Sequence, residues 1–213
     1  MATDTLVSKQ PQSTLGMAGA GTARFFPPFA IHWIATLALP VVFCLLTALG
    51  AQLRVPLPGT PVPLTLQLPA MLLCGLALSP GRASLAMILY LAGGSAGLPF
   101  FSPESAGLMG PTGGYLLAFP LSAWLVAKSK GRRGTETTAV RGFFAVAAGA
   151  LVVFFLGLVW LAVWLRDISA AATLGMFPFL LKSLVEVLLV TTVAEVTKRR
   201  VGDRAGGNRT AGL

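Results

Sequence analysis

Inside a long apolar run toward the C-terminal end, Lys182 stands four residues ahead of Glu186. That spacing is about one helical turn, so the two side chains share a face, and in hydrocarbon each needs a partner. Three readings of the lysine follow. It pairs with a ligand carboxylate, it snorkels outward, or it is neutralised by Glu186. A second polar pair, Thr65 and Gln67, opens another apolar run in Pro61-Val-Pro-Leu-Thr-Leu-Gln67. Thr65 either satisfies free N–H groups of a first helical turn or contacts a ligand. Gln67 is read as turning toward protein or ligand, because an amide facing lipid costs free energy. A third cluster is Gly110-Pro-Thr-Gly-Gly-Tyr115. Gly113 and Gly114 can expose backbone N–H groups at a helix N-terminus, which suits an anionic or carbonyl group, although tight helix packing demands the same residues. Tyr115 can stack on a ring or hydrogen-bond through its hydroxyl.

Other chemistries lack their residues. His32 is the one histidine, so neither an HExxH zinc site nor a pair of histidine ligands can form. The string GxxxxGK[ST] is absent, which leaves no P-loop, and no set of acids, histidines and serines points to an intramembrane enzyme. The expectation is a chain without catalytic residues, metal or cofactor. Cys44 and Cys74 fall inside apolar runs with no CxxC spacing and read as small packing residues.

The elements that must position these groups are apolar. Of the 213 residues, 55% are hydrophobic and 11% charged, against about 25% charged in soluble domains. The runs predict an all-α integral membrane protein, a bundle of about six transmembrane helices with Pro/Gly-rich outer loops. The helices fall at 29–53, 64–78, 82–94, 113–127, 141–165 and 177–197, the second and third being short for a full span. The domain reading is a disordered cytoplasmic tail at 1–24, a membrane domain at 25–200 and a basic cytoplasmic tail at 201–213.

A net charge of +9 invites a nucleic-acid reading, but the basic residues gather at helix ends, where they orient a membrane protein. With six spans the termini carry Lys9, Arg24, Lys198, Arg199, Arg200, Arg204 and Arg209 on one side. Arg82 and the group Lys128, Lys130, Arg132, Arg133 and Arg141 join them, making thirteen of the sixteen basic residues. The positive-inside rule places both termini in the cytoplasm, in a cell membrane, with the 4–5 connection a solvated anchor. The opposite loops are rich in Pro and Gly, as in Val55-Pro-Leu-Pro-Gly-Thr-Pro-Val-Pro63. Such loops hold a shape, and non-helical backbone near the bilayer must be buried or line a wet cavity. An outward-facing pocket roofed by them is expected. On the first helix, Cys44-xxx-Ala48 and Thr47-xxx-Ala51 put small residues one turn apart, for packing in the bundle or against a partner's helix.

Five strings occur in order: Leu46-Thr-Ala-Leu-Gly-Ala-Gln52, Val55-Pro-Leu-Pro, Pro61-Val-Pro-Leu-Thr-Leu-Gln67, Tyr90-Leu-Ala-Gly-Gly-Ser-Ala-Gly-Leu-Pro99 and Gly110-Pro-Thr-Gly-Gly-Tyr-Leu-Leu-Ala-Phe119. Together they resemble the BioY family, the biotin-binding S components of energy-coupling factor (ECF) transporters, most densely over 38–127. The resemblance implies a six-helix membrane protein that captures biotin from outside. It also implies partners: membrane lipid, a transmembrane coupling protein and cytosolic ATPases, with no nucleic acid. It assigns Thr65, Gln67, Tyr90, Thr112, Gly113, Gly114 and Tyr115 to ligand binding and Lys182 to the ligand carboxylate. Cys44, Ala48 and Ala51 become the docking face for the coupling protein. Members often carry Pro-Gly-Asp before the last helix's lysine, whereas this chain reads Phe177-Pro-Phe-Leu-Leu-Lys182. Asp167 is the acid available to replace that aspartate. The departure keeps two alternatives open, an S component for another vitamin or a biotin precursor, and a structural subunit without ligand.

Overall fold

An apolar run with no glycine until Gly50 forms the first helix, α1 (Pro28–Gln52), in the computed structural model of the protein. The structure describes residues 28–55, 62–103, 105–130 and 139–210, with side chains from 36 to 197. The predicted tail at 1–24, the tip of the first Pro-rich loop and the His32 side chain lie outside the described residues.

After α1 the chain leaves helical geometry for a short antiparallel ladder. β1 (Arg54–Val55) pairs with β2 (Leu64–Thr65), Arg54 opposite Thr65 and Val55 opposite Leu64. Because residues 64 and 65 are spent on the ladder, α2 begins later than its apolar run and spans Gln67–Ala77. Pro80, at the first turn, starts α3 (Pro80–Ser95), a position where its missing N–H costs nothing. A 3₁₀ turn (Gly107–Met109) leads to α4 (Gly113–Ser129), followed by α5 (Ala139–Leu165). The closing elements are α6 (Ile168–Gly175) and α7 (Phe177–Thr210), which runs on into the predicted basic tail at 201–213.

The described residues thus form seven α-helices where about six were expected. The addition is α6, eight residues long. Asp167 caps it, its Oδ1 accepting from the N–H groups of Ser169 at 2.8 Å and Ala170 at 3.1 Å. α5 and the part of α7 at Phe177–Thr197 are long and apolar enough to cross a bilayer. Both turn large apolar side chains away from the bundle, with Leu151 68% and Val163 75% exposed on α5 and Leu181 75% on α7. Lipid is the environment that accepts such faces.

Small residues close the seam between α4 and α5. A Cβ on Gly114 would lie 2.1 Å from Cβ of Trp160, and one on Gly157 2.3 Å from the Tyr115 ring. Across the same seam the Ser122 hydroxyl donates to Gly149 O at 2.8 Å. Gly114→Ala is expected to destabilise the protein by about 1–3 kcal/mol, because neither backbone nor Trp160 can move aside cheaply. A lower thermal midpoint of the purified protein in detergent checks this.

The structure bears on two expectations about particular residues. Cys44, Ala48 and Ala51 are buried at 5%, 6% and 0% exposure and pack within the bundle, the other reading of that spacing. Lys130 is no solvated anchor. Its ammonium donates to the carbonyls of Gly75, Leu76 and Leu78, the free acceptors at the C-terminal end of α2. Cys44 and Cys74 are free thiols, both buried.

Candidate functional site

Thr65 of the β1–β2 ladder, Ser102, Ser105 and Thr112 of the segment before α4, the starts of α2, α4 and α7 and the middle of α5 surround a cavity of about 640 Å³, counting its open mouth. One wall is apolar and aromatic, built from Leu68, Leu116, Phe119, Val153, Phe154 and Phe179. The polar lining is Thr65, Gln67, Ser102, Ser105, Thr112, Tyr115, Lys182 and Ser183.

Several of these groups belong to one hydrogen-bonded chain that crosses the bundle. On α3, Tyr90 is fully buried, with its ring centroid 5.5 Å from that of Phe101 and 6.1 Å from that of Phe119. Its hydroxyl accepts from Gln67 Nε2 at 2.6 Å. The Gln67 Oε1 in turn accepts from the Thr65 hydroxyl at 3.3 Å. The Thr65 carbonyl, at the end of the ladder, accepts from Lys182 Nζ at 2.7 Å. Lys182 Nζ also lies 2.6 Å from Glu186 Oε1. Thr65, Gln67 and Lys182 therefore reach the cavity held by fixed partners, and Tyr90 holds Gln67 from behind without lining the cavity itself.

Tyr115 meets the cavity with its ring, because its hydroxyl donates to Gly175 O at 2.8 Å, at the end of α6. Thr112 donates to Ser105 O at 3.2 Å, and the Trp160 indole donates to Gly110 O at 2.9 Å. Those two bonds pin the segment that leads into α4.

Besides Tyr90, three residues anticipated at the site do not line the cavity. Gly113 and Gly114 do not line the cavity. Gly113 N–H is occupied by Gly110 O at 3.1 Å, and a Cβ on Gly113 would meet Leu108 O at 2.0 Å. Packing, the alternative reading of that string, accounts for both glycines. Asp167 caps α6 and is not among the lining residues.

Sequence reasoning missed Ser102, Ser105 and Ser183. Ser102 and Ser183 are 4% and 8% exposed and line the cavity, and neither hydroxyl has a hydrogen-bond partner among the described residues. Buried hydroxyls without partners are uncommon and call for an explanation. Ser183 was detectable as a polar residue beside Lys182 in an apolar run. Ser102 had no signal to separate it from any loop serine.

The arrangement suits a small, largely apolar molecule with several hydrogen-bonding groups and one end that accepts from an ammonium. Known proteins agree with the fold and the pattern. A family model described as the BioY family matches residues 20–203. A protein of Pyrococcus horikoshii named "Probable biotin transporter BioY" is 34% identical over 161 residues, 74% of this chain and 93% of its own length. The "Biotin transporter BioY" of Thermotoga maritima is 31% identical over 157 residues, 72% of this chain and 89% of its own. The crystal structure of an S-component for biotin from an ECF-type ABC transporter shares the fold, with a TM-score of 0.71 at 20% identity over 79% of this chain and 93% of that one. Given a family model that covers most of its length and relatives of this identity and coverage, the chain belongs to the BioY family.

Proposed function

We propose that the chain captures biotin from the extracytoplasmic side of a cell membrane, as the substrate-binding S component of an ECF-type transporter. The single observation that carries this reading is a cavity lined by Lys182, Gln67 and two buried serine hydroxyls without partners among the described residues, opposite an aromatic wall. Biotin has matching parts. Its cyclic urea both donates and accepts, which suits Thr65, Gln67, Thr112 and Ser102. Its thioether ring and aliphatic tail suit Phe119, Phe154 and Phe179, and its carboxyl end suits Lys182. The names of the BioY relatives support the same ligand.

Six membrane crossings, made by α1 to α5 and α7 with α6 in the outer loop between the last two, put both termini in the cytoplasm. The cavity then opens outward, between the loops opposite the basic ones. The positive-inside bias of thirteen basic residues out of sixteen supports that direction. A cytoplasmic reading from a reporter fused at Lys130 agrees with it, and an extracytoplasmic one overturns it. With no GxxxxGK[ST] string of its own, the chain takes its energy from a membrane coupling protein and cytosolic ATPases.

Calorimetric titration of the purified protein with biotin tests the ligand. Saturation at or below low micromolar concentration is expected, and no binding there sinks the reading. A second reading, another vitamin or a biotin precursor, is favoured by one observation: no acid stands in the five residues before Lys182, Phe177-Pro-Phe-Leu-Leu181. Mass spectrometry of the molecule that copurifies separates the two.

A further inference from the structure

Among the described residues, Lys182 lines the cavity and is ion-paired with Glu186 behind it, and the pairing has a consequence for what the cavity accepts. An ammonium carries three donors. In Lys182 one is directed to the Thr65 carbonyl at 2.7 Å and another to Glu186 at 2.6 Å. The third is left for the cavity, which Lys182 lines. Glu186 sits one turn deeper at 5% exposure, and beyond the ion pair neither of its carboxylate oxygens accepts a hydrogen bond among the described residues. Among the described residues, no other lining residue is an acid, a lysine or an arginine. Over those residues the charge at the Lys182 end of the site is the sum over two side chains, and that sum is zero.

We propose that Glu186 is a specificity-determining residue: by neutralising Lys182 it lets the cavity accept a ligand whose tail is an uncharged carbonyl about as well as one whose tail is a carboxylate. The inference rests on the biotin reading above. A carboxylate arriving at the third donor meets an ammonium whose charge is already matched, with a second carboxylate one turn away. The new hydrogen bond forms, but attraction to the lysine is offset by repulsion from Glu186, which water screens poorly at a buried position. An amide carbonyl takes the same hydrogen bond without the repulsion. The ligand class is biotin together with derivatives whose carboxyl is masked as an amide.

The test compares biotin with its neutral primary amide, titrated calorimetrically against the purified full chain and against Glu186→Gln. The natural chain is expected to bind the two within about tenfold of each other. Glu186→Gln leaves the lysine's charge unmatched, so biotin should tighten by about tenfold or more while the amide changes less than about threefold. Glu186→Asp keeps the charge and should return the ratio toward that of the natural chain. A merely structural role for Glu186 would move both ligands together, and that result overturns the proposal. So does a natural chain that prefers biotin by more than about a hundredfold, which decides the matter even if Glu186→Gln fails to fold. A natural chain that binds neither molecule overturns the biotin reading itself.

Discussion

Lys182→Met is expected to weaken biotin capture by about one to two orders of magnitude, the worth of a hydrogen bond to a charged group. The same substitution should lower the unfolding free energy by about 3–5 kcal/mol, because removing one partner strands the other's charge in the interior. The stranded group is Glu186, 5% exposed. The bond from Lys182 to the Thr65 carbonyl, which ties α7 to the β1–β2 ladder, goes with it. Stability and binding can be separated with Lys182→Met/Glu186→Leu. Replacing both members of a buried ion pair by apolar side chains is often neutral or stabilising, so the double variant should regain most of the lost stability and none of the lost affinity. Chemical unfolding in detergent micelles and calorimetric titration read the two quantities. Natural affinity in the double variant would remove Lys182 from the ligand's contacts.

Tyr90 should produce the second large effect, in two parts that differ in kind. Tyr90→Ala opens a void among Phe100, Phe101 and Phe119 and should cost about 3–5 kcal/mol of stability, as large aromatic truncations in packed interiors do. Tyr90→Phe keeps the ring and removes the acceptor of the 2.6 Å bond from Gln67. An unsatisfied buried amide costs about 1–3 kcal/mol. Gln67 can recover that by rotating toward another acceptor, and it then leaves the orientation in which it meets the cavity. Tyr90→Phe is therefore expected to lower biotin affinity about tenfold with the thermal midpoint nearly kept. If affinity and midpoint fall together, Tyr90 acts through packing alone.

What the sequence revealed, and what it hid, follows from the range of the interactions concerned. A helix stands at each of the six expected positions because apolar runs are a local signal, although only α5 and α7 are long and apolar enough to cross a bilayer among the described residues. α6 was hidden because eight residues with one capping aspartate resemble any loop. Thr65, Gln67, Thr112, Tyr115 and Lys182 were legible as polar residues at the ends of apolar runs or within a family string, and the fold gathers them at one cavity. Ser102 was not legible, because its role depends on a loop returning over α4. Gly113 and Gly114 show the limit of a glycine string, since anion binding and close packing ask for the same side chain. Cys44, Ala48 and Ala51 show the corresponding limit for small-residue spacing. The one-turn interval marks a close helix contact but does not say whether the neighbour is internal.

The bonds from Lys130 bear on what finishes α2. α2 has eleven residues, a rise of about 16 Å in a hydrocarbon layer about 30 Å thick. Its last carbonyls have no donors of their own, and the lysine that serves them comes more than fifty positions later in synthesis. The end of α2 is thus completed from outside itself, by a side chain at the end of α4.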